Sequence, residues 1–293
     1  MPAPAEAFAS PHHKLYDGIA PEKYIGTNKG RVAFITGASK GLGLESAKAF
    51  AASGASVFIS ARSVDALAKL KAEIEAEYKV PVAYTAIDVS KEESVKAAVA
   101  KAVETFGKID IVVSNAGGGE NNGTIGELSV DSWWEGIDLN LKGTFTVATY
   151  TIPELRKTQG YIILLSSSLA QIRLPGGSSY NLAKLATIRL AEWLHTENAK
   201  SGVKAIAMHP GAVATAFSSY IVDKNPGMGL KEFFTDDPKL NAWTQVRLTS
   251  GSEDWLSGRF FDATWGLDEV AKQKEAILEE DALKIRLALP RSS

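Results

Sequence analysis

The stretch RVAFITGASKGLGLESAKAFAAS, residues 31–53, decides the fold. A short apolar run at 31–36 leads through a turn with three glycines into an alanine-rich segment with helical spacing. The glycines are Gly37, Gly41 and Gly43. Glycine permits positive φ and a close approach of backbone N–H groups to a ligand, and a helix that begins after such a turn points its N-terminus at an anion. The stretch therefore predicts a phosphate-binding turn at the end of a first strand.

The same alternation of strand and helix continues along the chain. Further apolar runs lie at 56–60, 82–87, 109–114, 161–166, 203–208 and 258–263, and segments with helical spacing lie at 64–79, 94–106, about 130–152 and about 178–199. The runs are apolar on both faces, which is typical of parallel strands between two layers of helices. We therefore predict an α/β protein with one domain at 31–293, a doubly wound Rossmann fold with a seven-stranded parallel sheet.

The two ends of the chain depart from this pattern. Residues 1–30 contain several prolines and no clear period, so we predict an N-terminal extension that wraps the surface or stays partly disordered. The pair His12 and His13 lies in this extension without further metal ligands nearby in sequence, which favours a solvated tail over a metal site. A charged segment at about 267–288 predicts a C-terminal helix.

Composition excludes several classes of function. The 293 residues carry a formal net charge of −2, which gives no basic field for nucleic acid. The sequence has no cysteine, which excludes disulfides, thiolate metal sites and cysteine nucleophiles. Its apolar runs fall short of the ~20 residues that cross a bilayer, and its N-terminus lacks the basic and apolar regions of a secretory signal. We expect a cytoplasmic protein that binds neither nucleic acid nor membrane.

The spacing of the glycine turn identifies a family. TGASKGLG at 36–43 has the pattern G-x-x-x-G-x-G and resembles the cofactor turn of the short-chain dehydrogenase/reductase family. The resemblance covers about 31–265 and includes Asp88, SNAG at 114–117, Asn140, a serine ahead of Tyr-x-x-x-Lys, Pro210-Gly211 and Thr215. One position differs, because the family's usual Asn-Asn-Ala-Gly reads Ser-Asn-Ala-Gly here.

This resemblance implies a nicotinamide dinucleotide cofactor and a set of residues around it. It places the phosphates and ribose at Gly37, Ser39, Lys40, Gly41, Leu42 and Gly43, and the adenine at Asp88 and Val89. It places the middle of the cofactor over Asn115, Ala116 and Gly117, and the nicotinamide end at Pro210, Gly211, Val213 and Thr215, with Tyr180 and Lys184.

The residues after the second strand indicate which dinucleotide binds. NAD enzymes place a carboxylate there to bind the ribose hydroxyls, and the corresponding position here is Ala61. Arg62 follows it, and Lys40 in the glycine turn adds a second positive charge. Arginine offers several donors in one plane to a phosphate. We therefore predict NADP(H) rather than NAD(H); the alternative is that Arg62 is a solvated charge at a strand end.

Tyr180 and Lys184 form the predicted catalytic pair. A spacing of four places both side chains on one face of a helix. A nearby ammonium favours the phenolate, so we expect Lys184 to lower the pKa of Tyr180 toward the range that general acid–base catalysis requires. Many surface helices contain Tyr-x-x-x-Lys, and the serine 13 residues ahead of Tyr180 distinguishes this occurrence.

The resemblance assigns two further catalytic residues and a mechanism. Ser167, 13 residues ahead of Tyr180, is expected to bind the reacting oxygen, and Asn140 to hold a water in a proton relay. An alternative for Asn140 is a polar residue inside a helix that merely finds a partner. In the implied mechanism Lys184 holds the nicotinamide ribose, the cofactor delivers hydride to a carbonyl, and Tyr180 donates the proton.

The variable part of the family is predicted to form a flap over the substrate at about 212–240. Its aromatic and apolar residues favour a bulky apolar or aromatic ketone, although they could equally pack the flap onto the core or a second subunit. They are Phe217, Tyr220, Ile221, Met228, Leu230, Phe233 and Phe234. Further candidates for the substrate site are Gly118, Gly119, Glu120, Ile172, Arg173 and Leu174. His195 and His209 match no family role and are expected to be structural.

The family usually assembles as dimers or tetramers, so the resemblance implies a homo-oligomer built on the helices at 130–152 and 178–199. Two other functions stay open for this fold. One is a regulator that binds the nucleotide as a sensor, although such relatives usually lose the tyrosine or the lysine, and this chain keeps both. The other is non-redox chemistry, such as dehydration or cyclisation, in the same pocket.

Overall fold

A parallel sheet of seven strands forms the centre of the protein, and their order is β3-β2-β1-β4-β5-β6-β7. The computed structural model describes residues 8–119, 123–224, 227 and 229–287. The strands are β1 Val32–Thr36, β2 Ser56–Ala61, β3 Val82–Ala86, β4 Ile111–Ser114, β5 Tyr161–Leu165, β6 Lys204–His209 and β7 Phe260–Asp262. The predicted fold class is confirmed.

Helices cover both faces of this sheet. They are α1 Gly41–Ala52, α2 Val64–Tyr78, α3 Glu92–Phe106, α4 Val130–Ile137, α5 Gly143–Thr158, α6 Ser178–Asn198, α7 Ala216–Lys224, α8 Pro238–Leu248, α9 Leu267–Lys272 and α10 Lys274–Glu279. All residues of β1, β4 and β5 are buried, as expected for strands covered on both sides. The helix α8 was not predicted. It begins at Pro238, so the segment predicted as a flap ends at Asp237 rather than at about 240.

The strand order reverses between β1 and β4, which places a crevice at their carboxyl ends. Phe34 pairs with Val112 there, so the glycine turn after β1 and the segment after β4 leave the sheet side by side. The Asn115 side chain donates to the main-chain oxygen of Thr36 at 2.8 Å. The Thr36 hydroxyl accepts the main-chain N–H groups of Asn115 and Ala116 at 3.1 and 3.0 Å. These bonds fix the floor of the crevice.

The helix predicted at about 130–152 is not continuous. A π-helical segment at Asp138–Lys142 separates α4 from α5, and α5 continues to Thr158. The insertion forms because the side chain of Asn140, at its middle, binds main-chain groups of Gly118 and Gly136. Such π segments occur often at functional sites.

The single C-terminal helix predicted at 267–288 is wrong. Two short helices, α9 and α10, replace it, and the break lies at Gln273, whose side chain donates to the main-chain oxygen of Phe8. Beyond α10 the backbone adopts positive φ at Asp281 and Leu283, which ends helical geometry. Residue 288 lies outside the described residues.

The described part of the N-terminal extension packs against the C-terminal third of the chain. Pro11 forms an antiparallel bridge with Trp265, whose ring also contacts the ring of Phe8 at a centroid distance of 5.0 Å. The buried guanidinium of Arg247 donates to the main-chain oxygen of Gly18 at 2.9 Å. Residues 8–30 are therefore part of the folded domain and not a solvated tail.

The C-terminal segment also touches the sheet. At the outer strand β7, the N–H of Phe260 donates to the main-chain oxygen of Leu283 at 2.8 Å. Ile285 is held further along by Glu192 of α6, which accepts its N–H at 3.0 Å.

Among the described residues, no helix has the length and apolar character needed to cross a membrane.

Candidate active site

The glycine turn after β1 leaves room that side chains would fill. Gly37 and Gly41 have φ values of +69° and +57°, which favour glycine. A Cβ on Gly37 would lie 2.7 Å from the Asn115 amide nitrogen, and one on Gly43 would overlap the main-chain oxygen of Gly37. The turn and the segment after β4 therefore need glycines to approach each other this closely.

The start of α1 faces the same crevice. Lys40 precedes the helix with extended backbone, and the first turn consists of Gly41, Leu42, Gly43 and Leu44. The free N–H groups of a helix start carry partial positive charge and bind anions. The residues present therefore fit the diphosphate of a dinucleotide. The structure brings together at this point the predicted residues Gly37, Ser39, Lys40, Gly41, Leu42, Gly43, Asn115, Ala116 and Gly117.

Two exposed cations lie near the end of β2, on the side of the crevice predicted to bind the adenosine. Ala61 is buried at the end of β2, whereas Arg62 and Lys40 are exposed. After β3, the Asp88 carboxylate accepts both the hydroxyl and the main-chain N–H of Ser90, which lower the pKa of Asp88. The charge of Arg62 adds to this lowering, so Arg62 and Asp88 face the same region. A 2′-phosphate entering this region would meet positive charge.

Lys184 lies buried beneath the crevice, one helical turn from Tyr180. Its Nζ donates to the main-chain oxygen of Leu165 at 2.8 Å, at the end of β5. A Cβ on Gly117 would be 3.2 Å from that Nζ, so the ammonium borders the predicted path of the cofactor. The Nζ lies 5.5 Å from the centroid of the Tyr180 ring. The two side chains therefore share one face of α6, as the spacing predicts.

Burial controls the acidity of both groups. Desolvation lowers the pKa of Lys184 to about 8, and it raises the pKa of Tyr180 to about 12. A hydrogen bond with Ser167 opposes the rise for Tyr180. The expectation that Lys184 lowers the pKa of Tyr180 is therefore wrong for this state, because Nζ is directed to Leu165 and desolvation dominates. Near neutral pH, Tyr180 is a protonated phenol.

Ser167 and its neighbour Ser166 have different roles at the end of β5. Ser167 is buried, and its hydroxyl accepts the N–H of Leu169 at 3.2 Å, which leaves its proton for Tyr180 or a ligand. The Ser166 hydroxyl instead donates to the main-chain oxygen of Lys184 at 2.8 Å and holds α6 against the sheet. This arrangement agrees with the selection of Ser167 by its spacing from Tyr180.

Asn140 joins the π segment to the segment after β4. Its amide nitrogen donates to the oxygens of Gly118 and Gly136 at 2.6 and 3.0 Å, and its Oδ1 accepts the N–H of Gly118 at 2.9 Å. Both amide hydrogens are thus used, which leaves one Oδ1 lone pair for a water. The geometry favours a clamp on Gly118, and the water relay remains a prediction.

A cavity opens from Tyr180 toward the flap and is lined mainly by apolar groups and glycines. Its walls come from four segments: Gly118 and Gly119; Gly136 and Asn140; Leu169, Leu174, Pro175, Gly177, Ser179, Tyr180 and Asn181; and Phe217 and Ile221. The ring of Phe217 lies 4.8 Å from the Tyr180 ring, centroid to centroid. Ile172 and Arg173 are exposed and outside this lining, and Glu120 and Met228 lie outside the described residues.

Sequence reasoning missed several lining residues, of which Ser179 and Asn181 are polar. Both are sequence neighbours of Tyr180 in α6, and this adjacency is the signal that could have identified them. The Ser179 hydroxyl donates to the main-chain oxygen of Trp133 at 2.8 Å, and the Asn181 amide donates to that of Ile172 at 3.3 Å. These bonds hold the wall of the cavity in place.

The loop after β6 closes the crevice from above. The predicted residues Pro210, Gly211, Val213 and Thr215 all lie in it. Thr215 caps α7, because its hydroxyl accepts the N–H of Ser218 at 3.2 Å while Ser218 accepts the N–H of Thr215 at 2.7 Å. A Cβ on Gly41 would lie 3.7 Å from the Thr215 methyl group. The loop therefore reaches from the end of β6 to the glycine turn.

Comparison with known proteins gives the class. A family model described as short chain dehydrogenase matches residues 31–226. The chain therefore belongs to the short-chain dehydrogenase/reductase family, whose members use a nicotinamide cofactor.

Fungal relatives match over nearly the whole chain. The short chain dehydrogenase citE of Monascus ruber is 39% identical over 95% of both chains. The short chain dehydrogenase pigC of the same organism is 31% identical over 94% of this chain and 91% of its own.

Solved structures of dehydrogenases and reductases are also similar. The L-sorbose reductase of Gluconobacter frateurii, complexed with NADPH and L-sorbose, is 29% identical with a TM-score of 0.73, over 81% of this chain and 96% of its own. The alcohol dehydrogenase of Thermococcus sibiricus, complexed with 5-hydroxy-NADP, is 32% identical with a TM-score of 0.68, over 79% and 94%.

Proposed function

We propose that the protein is an NADP(H)-dependent ketoreductase that reduces a bulky apolar or aromatic ketone to a secondary alcohol. The observation that carries this proposal is the largely apolar cavity whose lining includes Tyr180, one helical turn from buried Lys184. A carbonyl beside Tyr180 would meet the phenol and lie near Ser167, whose hydroxyl is hydrogen-bonded to that phenol, and such groups stabilise and protonate a reacting oxygen.

The preference for NADP(H) rests on charge. Arg62 and Lys40 are exposed cations beside the end of β2, where Ala61 takes the place of the carboxylate that binds an NAD ribose. Two similar structures are complexed with NADPH and 5-hydroxy-NADP, which supports the same choice. When bound, the cofactor supplies the hydride that reduces the carbonyl carbon.

The chain supplies the proton and its placement. Because the pKa of Tyr180 is about 12, the phenol is protonated near neutral pH and donates its proton to the carbonyl oxygen. Ser167 donates a hydrogen bond to the same oxygen as negative charge develops on it. The Lys184 ammonium lies at the edge of the predicted cofactor path and would hold the ribose hydroxyls of the bound cofactor. Asn140 clamps Gly118, which forms part of the cavity wall.

The lining of the cavity supports an apolar substrate. Leu169, Leu174, Pro175, Phe217 and Ile221 contribute apolar surface to it. The hydroxyl of Ser179 and one N–H of Asn181 already donate to main-chain oxygens, which leaves fewer donors for a sugar-like substrate. Burial of apolar or aromatic rings against such a lining supplies the binding free energy.

We also propose a cytoplasmic homodimer or homotetramer that assembles through α4, α5 and α6. The exposed side chains of Trp134, Phe145 and Trp193 support this, because they expose 54%, 55% and 57% of their surface on these helices. Clusters of exposed large apolar groups are typical of protein–protein contacts.

Turnover of ketones tests the proposed function directly. The protein is mixed with NADPH and a panel of aromatic, bulky aliphatic and small ketones, and the loss of NADPH absorbance is followed. We expect oxidation of NADPH that depends on a bulky ketone and forms the matching alcohol. NADPH binding without turnover across the panel would favour a nucleotide sensor, whereas conversion of a substrate without NADPH loss would favour non-redox chemistry.

A further inference from the structure

Asp236, near the end of the flap, is a buried carboxylate. One of its oxygens, Oδ2, accepts the N–H of Ala212 at 2.5 Å, and its own N–H donates to the main-chain oxygen of Ala212 at 3.0 Å. A Cβ on Gly211 would lie 2.9 Å from Oδ2, so the carboxylate packs against that glycine. Ala212 and Asp236 begin and end the flap, and these bonds join its two ends.

The second oxygen of Asp236 binds the N-terminal extension. His13 Nδ1 donates to Oδ1 at 2.6 Å, and the main-chain oxygen of His13 accepts the N–H of Asp237 at 2.9 Å. The Asp236 side chain is 4% exposed and that of His13 is 61% exposed, so the imidazole covers the carboxylate from the solvent side. A buried carboxylate is costly unless each oxygen has a donor, and His13 provides the second.

The position of Ala212 links this contact to the active site. Thr215, three residues further, borders the glycine turn, and Phe217, five residues further, packs on Tyr180. This segment therefore places Thr215 beside the predicted cofactor site and Phe217 beside the predicted substrate site. A shift at Ala212 would move both.

We infer that His13 and Asp236 are positioning residues: together they latch the flap in the conformation that places Thr215 and Phe217 over the cofactor and the substrate. The inference rests on the proposed function in that it treats 212–237 as the substrate flap. It assigns to the N-terminal extension a part in substrate binding, which its sequence does not suggest.

Two substitutions at His13 and one at its neighbour test the latch. His13→Ala removes the donor to Asp236, and His13→Asn restores an amide donor at nearly the same place. His12→Ala is the matched control, because His12 stacks on Tyr16 at a centroid distance of 3.9 Å and its N–H donates to Thr264. The measurements are KM and kcat for a bulky ketone, the melting temperature, and the rate of trypsin cleavage after Lys231, which is exposed in the flap.

We expect His13→Ala to raise KM for the ketone about tenfold, near the lower end of the effect of losing one hydrogen bond to a charged group, with kcat changed less. Trypsin cleavage after Lys231 should accelerate by a similar factor. His13→Asn should restore both values, and His12→Ala should leave both near those of the unmodified protein even if it lowers the melting temperature.

Equal effects of His12→Ala and His13→Ala, or unchanged cleavage and KM in His13→Ala, would overturn the latch. The proteolysis does not depend on turnover. If the unmodified protein reduces no ketone, the proposed function fails, while faster cleavage in His13→Ala alone, reversed in His13→Asn, still supports the latch.

Discussion

The ring of Phe217 packs against the ring of Tyr180, with the centroids 4.8 Å apart and the planes tilted by 40°. Phe217 belongs to α7 in the flap, and Tyr180 belongs to α6 under the crevice. The flap thus contacts the proposed proton donor directly. Four predictions concern this contact and others in the site, and a fifth concerns the anchoring of the N-terminal extension.

Phe217 should set the size of the substrate. Phe217→Ala removes apolar surface beside Tyr180 and enlarges the cavity, so we expect kcat/KM for a small ketone to fall relative to that for a larger one by about tenfold, as for other changes of pocket volume. Phe233→Ala is the control, because Phe233 is 67% exposed in the same flap. The same relative rates in both variants would argue against a role for Phe217 in selection.

Tyr180 should be required for turnover but not for cofactor binding. Tyr180→Phe keeps the ring that contacts Phe217 and removes the proton donor, so kcat should fall about 10³-fold, within the usual contribution of a general acid. Binding of NADPH, measured by fluorescence titration, should weaken by less than about tenfold, since the hydroxyl adds at most one hydrogen bond. Tyr84→Phe on β3 serves as control. A fully active Tyr180→Phe enzyme would refute the assignment.

Arg62 should distinguish the two dinucleotides. Arg62→Ala removes a cation that would contact the 2′-phosphate, so kcat/KM for NADPH should fall about 10- to 100-fold, as for a lost charge-assisted hydrogen bond. The value for NADH should change little, because NADH has no phosphate at that place. A loss of equal size with both cofactors would show that Arg62 supports the fold or the shared part of the cofactor.

The activity should depend on the protonation of Lys184. Burial lowers the pKa of Lys184 to about 8, so its ammonium is present below pH 8 and is lost above it, while Tyr180, with a pKa of about 12, keeps its proton throughout. Because kcat/KM for NADPH reports on the free enzyme, it should be flat below pH 8 and fall about tenfold per pH unit above it.

The variant Lys184→Arg provides the comparison for this pH profile. Arginine keeps its charge at all these pH values, so the fall above pH 8 should disappear even if the rate is lower. A profile of the unmodified enzyme that stays flat to pH 10 would contradict the assignment of the falling limb to Lys184.

The buried pair of Arg247 and Glu253 should anchor the N-terminal extension. Glu253 accepts Nε and Nη2 of Arg247 at 3.0 and 2.9 Å, while Nη1 binds the oxygen of Gly18. Glu253→Gln removes one of the two carboxylates that the guanidinium binds, since its Nη1 also lies 2.7 Å from Asp268, so the free energy of unfolding should fall by about 2 kcal/mol. Glu154→Gln breaks an exposed pair with Lys157 and should cost less than about 1 kcal/mol. Equal losses in denaturant titrations would show that burial of the first pair does not matter.

Local patterns predicted the sheet and the placement of the main site residues. Strands such as β1 and β5 are apolar on both faces, which only a sheet covered on both sides accommodates, and the glycines of the turn define the crevice. The spacing of Tyr180 and Lys184 fixes their common face on α6. These features depend on continuous apolar runs, on the spacing of glycines and on the helical period of 3.6 residues, which a sequence displays.

The features that sequence did not predict depend on contacts between distant segments. The π segment at Asp138–Lys142 forms because Asn140 binds Gly118, which lies 22 residues away. Lys184 directs its Nζ toward Leu165, and burial raises the pKa of Tyr180. Both depend on how deeply the side chains lie in the fold. The pairing of His13 with Asp236 spans 223 residues, and its partners carry no recognisable pattern.

The hydrogen bond from Phe260 to Leu283 has a consequence for solubility. An outermost strand with unpaired N–H groups is a template onto which a strand of another molecule can add. The C-terminal segment occupies part of this edge of β7 and so acts as a shield against aggregation. Proteolytic trimming that removes Leu283 would uncover that edge in an otherwise intact fold and would favour self-association through exposed strands.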